Sequence, residues 1–271
     1  MEGLSGQWKS ERASRGRRQG ICNCGRGSGL GFSAARALVS HGARVAVCGR
    51  SEERLCEALE ELGENAVGQR IDAAAPGAVD QFLEFACGEI GNLEGLYHVA
   101  GGSGRSVGDG PLHELSDEGW DYTIRQNLTS LMMSNRAAVR CFRRQASGGV
   151  ILNMGSVLGF HPSPEYFSSH AYAASKAGVE GFSKSLASYY AKEGVRVNVI
   201  TPALVDTPMS ERARANEEIM EYVSRKQPLD GGRVGIPSDL DGAALLLLGE
   251  GGRFITGQVL GVDGGWSVSG T

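Results

Sequence analysis

Tyr172 and Lys176 stand four residues apart in Tyr-Ala-Ala-Ser-Lys, a spacing that stacks both side chains on one face of a helix. A phenol titrates near pH ~10, too high to exchange protons readily at neutrality. A neighbouring ammonium favours the phenolate, so the pair is expected to give Tyr172 the acid/base behaviour that proton transfer at an oxygen requires. Ser156, sixteen residues earlier, follows the apolar run 150–154, where its hydroxyl can donate a hydrogen bond to a developing oxyanion. Tyr-x-x-x-Lys alone arises often by chance; strand and helix together bring these three groups to one sheet edge.

A second segment, Gly25-Arg26-Gly27-Ser28-Gly29-Leu30-Gly31, runs from a candidate strand into a helical pattern. Glycines there let the backbone approach a pyrophosphate, and the helix's first amides and dipole favour its charge. Such turns are frequent, so the loop alone is weak evidence; a P-loop is disfavoured because no Gly-Lys-Ser/Thr follows. After the second strand, where a site selective for NAD carries an acid, the chain has Gly49-Arg50. The planar fork of Arg50 can pair with a 2′-phosphate, which favours NADP(H) over NAD(H). The plainer alternative is a surface arginine beside Glu52 and Glu53. Asp72, ending the third strand, either faces the adenine or caps the turn before Pro76.

The elements that must position these groups alternate. Candidate strands fall at 20–23, 44–48, 66–71, 95–99, 150–154, 195–200 and 258–262, with helical patterns at 30–41, 52–62, 77–90, 117–144, 173–192 and 239–248. This predicts an α/β fold: a doubly wound seven-stranded parallel sheet with helices on both faces. Segment 203–233 breaks the alternation, being polar, charged and long for a connection. Because it leaves the carboxyl end of a strand, it is read as a mobile substrate lid rather than a solvated insertion.

The chain has 271 residues, 41% of them hydrophobic, which suits one sizeable domain over 19–271. Residues 1–18 are polar and mostly basic, and read as a flexible tail; Glu2 and Glu11 spoil a mitochondrial presequence. A net charge of −4 gives no footprint for nucleic acid, and no apolar run is long enough for a bilayer, so neither partner is expected. Six cysteines with no export signal imply reduced thiols and a cytoplasmic location. No metal site is expected, since no second Cys/His pair completes the ligands of Cys22-x-Cys24.

Taken together and in this order, the motifs resemble the short-chain dehydrogenase/reductase family over about residues 20–268. Gly25, Gly29 and Gly31 match its Gly-x-x-x-Gly-x-Gly loop, and Asn127 in Asn-Leu-Thr-Ser its helical active-site asparagine. Ser156, Tyr172 and Lys176 match the remaining catalytic positions, Pro202 and Thr207 its nicotinamide-contacting turn, and Val262-Asp-Gly-Gly265 its C-terminal signature. The resemblance implies a Rossmann-type domain and hydride transfer between nicotinamide and a carbonyl or secondary alcohol, 3-oxoacyl-type or another ketone. It also implies cofactor contacts from Leu30, Ala100, Gly101, Tyr172 and Lys176, and a homo-oligomer, commonly a homotetramer. Tyr172 would exchange the proton, Ser156 polarise the oxygen, Lys176 lower the tyrosine pKa and hold the ribose, and Asn127 keep a water on the lysine. The alternative is a dinucleotide-binding regulator of the same fold without turnover.

The chain departs from the family pattern in four places. Its first strand, Gly20-Ile-Cys-Asn23, is poor in β-branched residues and ends on Cys24 in place of a hydroxyl residue. His98-Val99-Ala100-Gly101 replaces Asn-Asn-Ala-Gly. Pro202-Ala203 replaces Pro-Gly, and the stretch between Ser156 and Tyr172 is longer than usual, carrying His161 and His170. Substrate identity is expected to reside in 157–171 and 203–233.

Overall fold

Seven short runs pair into one sheet: β1 (Gly20–Cys24), β2 (Arg44–Gly49), β3 (Ala66–Arg70), β4 (Gly95–His98), β5 (Gly149–Met154), β6 (Val195–Pro202) and β7 (Val259–Val262). Their order is β3-β2-β1-β4-β5-β6-β7 and every pairing is parallel. This computed structural model describes residues 20–25 and 29–270; the tail at 1–18 and Arg26, Gly27 and Ser28 lie outside them. The helices are α1 (Leu30–Ser40), α2 (Glu52–Leu62), α3 (Ala78–Ile90), α4 (Asp117–Ile124), α5 (Ser130–Gln145), α6 (His170–Tyr190), α7 (Glu211–Arg214), α8 (Glu217–Lys226) and α9 (Asp241–Leu248). No described helix is long and apolar enough to cross a membrane.

Strand periodicity divides the core. Cys22, Leu96 and Ile151 face Phe82 of α3 and Phe142 of α5, while their neighbours Ile21, Tyr97 and Leu152 face Leu38 of α1 and Leu247 of α9. Successive residues point to opposite faces, and a parallel sheet is apolar on both. The weak first strand forms because β2 and β4 flank it, so ladder hydrogen bonds and burial override its low β-propensity.

Two differences from the sequence reading have local causes. The run 117–144 is interrupted by a π turn over Arg125–Thr129, where buried Asn127 donates to the carbonyls of Gly102 and Thr123; such single-turn bulges hold one helical residue in a special orientation. Helix α6 begins at His170 rather than Ala173 because the buried carboxylate of Asp109 accepts the amides of Ala171 and Tyr172, each at 3.0 Å. Its own N-cap residue, Ser169, contributes no side-chain bond, so this capping comes from a distant part of the chain.

Segment 203–233 carries α7 and α8, the latter capped by Asn216, which accepts the Ile219 amide at 2.9 Å. Its apolar side chains share a core with the stretch after β5 and with the C-terminal tail: Val157, Ala213, Ile219, Val223 and Trp266. Phe167 and Tyr222 meet the Trp266 indole edge-on, each at 5.9 Å.

Candidate active site

The carboxyl ends of β1, β4, β5 and β6 open onto one cavity of about 230 Å³, the position where an open α/β sheet binds ligands. Ten residues singled out from the sequence line it: Gly29, Leu30, Ala100, Gly101, Asn127, Ser156, Tyr172, Lys176, Pro202 and Thr207. Gly25, Arg50 and Asp72 line a smaller adjoining cavity that shares Ala100 and Gly101. Gly31 lies under the start of α1, where an added Cβ would stand 3.1 Å from the Asn23 side-chain oxygen.

Strand β5 delivers Ser156 and helix α6 delivers Tyr172 and Lys176. Lys176 is buried; its Nζ donates to the carbonyl of Met154, the last residue of β5, at 2.9 Å and lies 5.6 Å from the Tyr172 ring centre. Removal from water lowers the ammonium to about 8. Burial carries the Tyr172 phenol above its ordinary value, and the neighbouring Ser156 hydroxyl works in the other direction. This corrects the expected balance: burial, not Lys176, sets the direction of the tyrosine shift. Asn127 and Lys176 converge beneath Gly101, where an added Cβ would come within 2.7 Å of Asn127 Oδ1 and 3.7 Å of Lys176 Nζ.

The phosphate end fits a dinucleotide. Gly29 takes a left-handed φ of 70°, and among the described residues no side chain caps α1 and no acid stands in its first turn, an arrangement that leaves its leading amides to meet an anion. An added Cβ on Gly29 would touch Thr207 at 3.4 Å, so the helix start and the turn after β6 face one another closely. Asn23, not foreseen, steadies this end by donating to the Gly31 carbonyl at 2.6 Å, which offsets the missing hydroxyl at Cys24. Arg50 is exposed at the rim of the adjoining cavity. Asp72 is also exposed, and one of its oxygens accepts the Ala74 amide at 3.0 Å, the turn-capping alternative; it still lines that cavity.

His98 stands where the family has asparagine. It is buried, bonds Ser134 of α5 at 2.7 Å and leaves Nε2 without a hydrogen-bond partner among the described residues; burial first, then the Lys176 charge, lower it to about 3. His161 and His170 do not line the cavity, whereas Met154 does. Trp266 closes the cavity of its own chain. Sequence reasoning missed Asp109, Arg105 and Arg212, because they reach the cavity from long connections, the first two from the one after β4 and Arg212 from the one after β6.

A family model described as enoyl-(acyl carrier protein) reductase matches residues 25–267. The cis-4-hydroxycyclohexanecarboxylate dehydrogenase of Sinomonas cyclohexanicum is 31% identical, over 90% of this chain and 94% of its own length. A 3-oxoacyl-(acyl-carrier-protein) reductase of Chlamydia trachomatis is 33% identical, over 88% and 92%. Among solved structures, a short-chain type dehydrogenase/reductase from Mycobacterium ulcerans superposes with a TM-score of 0.85 at 28% identity, covering 95% of this chain and 92% of that one. Actinorhodin polyketide ketoreductase with NADPH gives 0.83 at 29%, covering 93% and 98%.

Proposed function

The chain belongs to the short-chain dehydrogenase/reductase family, oxidoreductases of secondary alcohols and ketones, and from that premise we propose that it is NADP(H)-dependent, with Tyr172 Oη as the proton donor and acceptor. The observation that carries the reading is that Ser156, Tyr172, Lys176 and Thr207 line one cavity with Gly29 and Leu30 at the start of α1. The nicotinamide, when bound, supplies or accepts the hydride.

Ser156 holds the substrate oxygen against Tyr172 Oη, so the proton passes between phenol and oxygen as charge develops. Lys176, anchored on Met154, places a positive charge beside the phenol and a donor for the ribose, and Asn127 keeps a water on that ammonium. Gly25, Gly29, Leu30 and Gly31 receive the pyrophosphate. Arg50 takes a 2′-phosphate, Asp72, Ala100 and Gly101 border the adenosine, and Pro202 and Thr207 flank the nicotinamide. The 203–233 segment acts as the lid of a single catalytic domain. A homo-oligomer is the proposed assembly; β7 pairs on one side only and exposes Leu260.

Support for NADP(H) comes from Arg50 and from the ketoreductase neighbour crystallised with NADPH. The test is fluorescence titration with NADPH and NADH, followed by turnover on ketones and 3-oxoacyl thioesters. NADPH should bind at least ~10-fold more tightly, and Arg50→Ala should erase most of that preference. Tight binding with no turnover across the panel would instead identify a dinucleotide-binding regulator.

A further inference from the structure

The charged side chains lining the main cavity are Arg105, Lys176 and Arg212, and no aspartate or glutamate among the described residues joins them. Lys176 belongs to the proposed proton-transfer machinery; the two arginines do not. Arg105 stands on the single turn Arg105–Val107 that follows β4, Arg212 on α7.

Arg105 is half-buried and held in place. Its Nε donates to Ser169 Oγ at 2.9 Å and its Nη2 to the Tyr166 carbonyl at 3.1 Å. Both acceptors are neutral, and Nη1 has no protein acceptor among the described residues. Asp109 is the carboxylate close enough to favour the Arg105 charge, but its two oxygens are committed to the amides of Ala171 and Tyr172. Arg212 has no carboxylate partner among the described residues, although Arg214, on the same short helix, is paired with Asp206 at 2.9 Å. Burial and the Arg212 charge both draw the Arg105 guanidinium below its ordinary value, so the two groups act on one another across the same space. Two guanidiniums that repel each other over a cavity without a counterion favour the arrival of an anion.

Much of the wall around them is apolar, from Leu158, Phe167, Leu204, Met209 and Trp266. A small site of this kind takes an apolar body fixed by a few polar groups. We propose that Arg105 and Arg212 form a binding site for an anionic group, carboxylate or phosphate, carried by the substrate at a distance from its carbonyl. The proposal rests on reading this cavity as the carbonyl/alcohol site; it adds that the substrate is an oxo acid or hydroxy acid, or the corresponding phosphate, rather than a neutral ketone.

The test is calorimetric binding to enzyme saturated with the oxidised cofactor, on which ketones form complexes without turnover. The probes are 4-oxocyclohexanecarboxylate and levulinate against their methyl esters, and dihydroxyacetone phosphate against dihydroxyacetone. At least one anionic probe should bind tenfold or more tightly than its neutral counterpart. Arg212→Gln, at an exposed position, should cut that ratio at least fivefold while leaving the melting temperature unchanged. Arg105→Gln should do the same, with Arg105→Lys as the variant to use if loss of the Ser169 and Tyr166 bonds impairs folding. Cofactor affinity should move less than twofold in each. Equal binding of every pair, no binding of any anionic probe, or an equal loss of cofactor affinity would overturn the proposal, the last outcome assigning the arginines to the pyrophosphate. Failure of the hydride-transfer reading is seen separately, as absence of NADPH oxidation by every ketone while the preference for anions persists.

Discussion

The carboxylate of Asp109 lies 3.0 Å from the backbone nitrogen of Tyr172, in the first turn of the helix that carries it. A second bond to Ala171 makes the contact two-pronged, and Asp109 is buried at 3% exposure. The site tyrosine is therefore positioned by a side chain from the connection after β4.

Replacing Asp109 tests this directly. Asp109→Asn sets an amide N–H against one of the two backbone donors and leaves that donor unsatisfied, at a cost of about 1–3 kcal/mol. The expected result is a lower melting temperature and a fall in kcat with the KM for NADPH little changed, because α1 and its cradle are untouched. A loss confined to stability, with kcat intact, would reduce Asp109 to a structural cap.

Tyr172→Phe should lower kcat by about 10²–10⁴-fold, the usual worth of a positioned acid/base, while cofactor titration stays normal. Since burial holds the phenol above its ordinary value and alcohol oxidation needs the phenolate, the oxidation rate of the wild type should climb with pH through the alkaline range. A flat profile argues for a different base.

Lys176 makes stability depend on pH. Its folded value is about 8 against 10.5 in the free side chain. Between the two the unfolded chain holds a proton that the folded chain has released, so unfolding free energy rises with pH across that window, by up to about 3 kcal/mol. Urea unfolding of wild type and Lys176→Met from pH 7.5 to 10 should reveal the rise in the wild type alone; parallel curves would refute it.

His98 acts at the acid end. Its folded value is about 3 against 6.5; below 6.5 the unfolded chain gains a proton that the buried ring refuses, and stability falls by up to about 1.4 kcal/mol per pH unit. His98→Asn should flatten the acid limb of a melting curve between pH 6.5 and 4.5. An unaltered limb would mean that other groups control it.

The sheet was legible from composition and periodicity, since all seven strands sit within about two residues of where alternation placed them. The trio Ser156, Tyr172 and Lys176 was legible because one strand–loop–helix segment contains it. Asp109 was not, its contacts lying 62 and 63 residues away. The π turn at Asn127 escaped because one extra residue per turn barely disturbs an apolar helical pattern. The tyrosine shift was misjudged for another reason: spacing reveals the nearby ammonium, but not the low-dielectric surroundings that outweigh it. Arg105 and Arg212 belong to no motif, and only the fold turns both toward one space.

The tail beyond β7 is fastened to α8 by reciprocal bonds, Lys226 Nζ to the Ser269 carbonyl and Ser269 Oγ to the Lys226 carbonyl, with Trp266 wedged between Phe167 and Tyr222. Any outward swing of α8 has to drag the last residues of the chain along or tear an aromatic joint apart. The proposed lid and its fastening are thus one piece, and trimming a handful of C-terminal residues should remodel the cavity wall at Trp266 while leaving Ser156, Tyr172 and Lys176 in place.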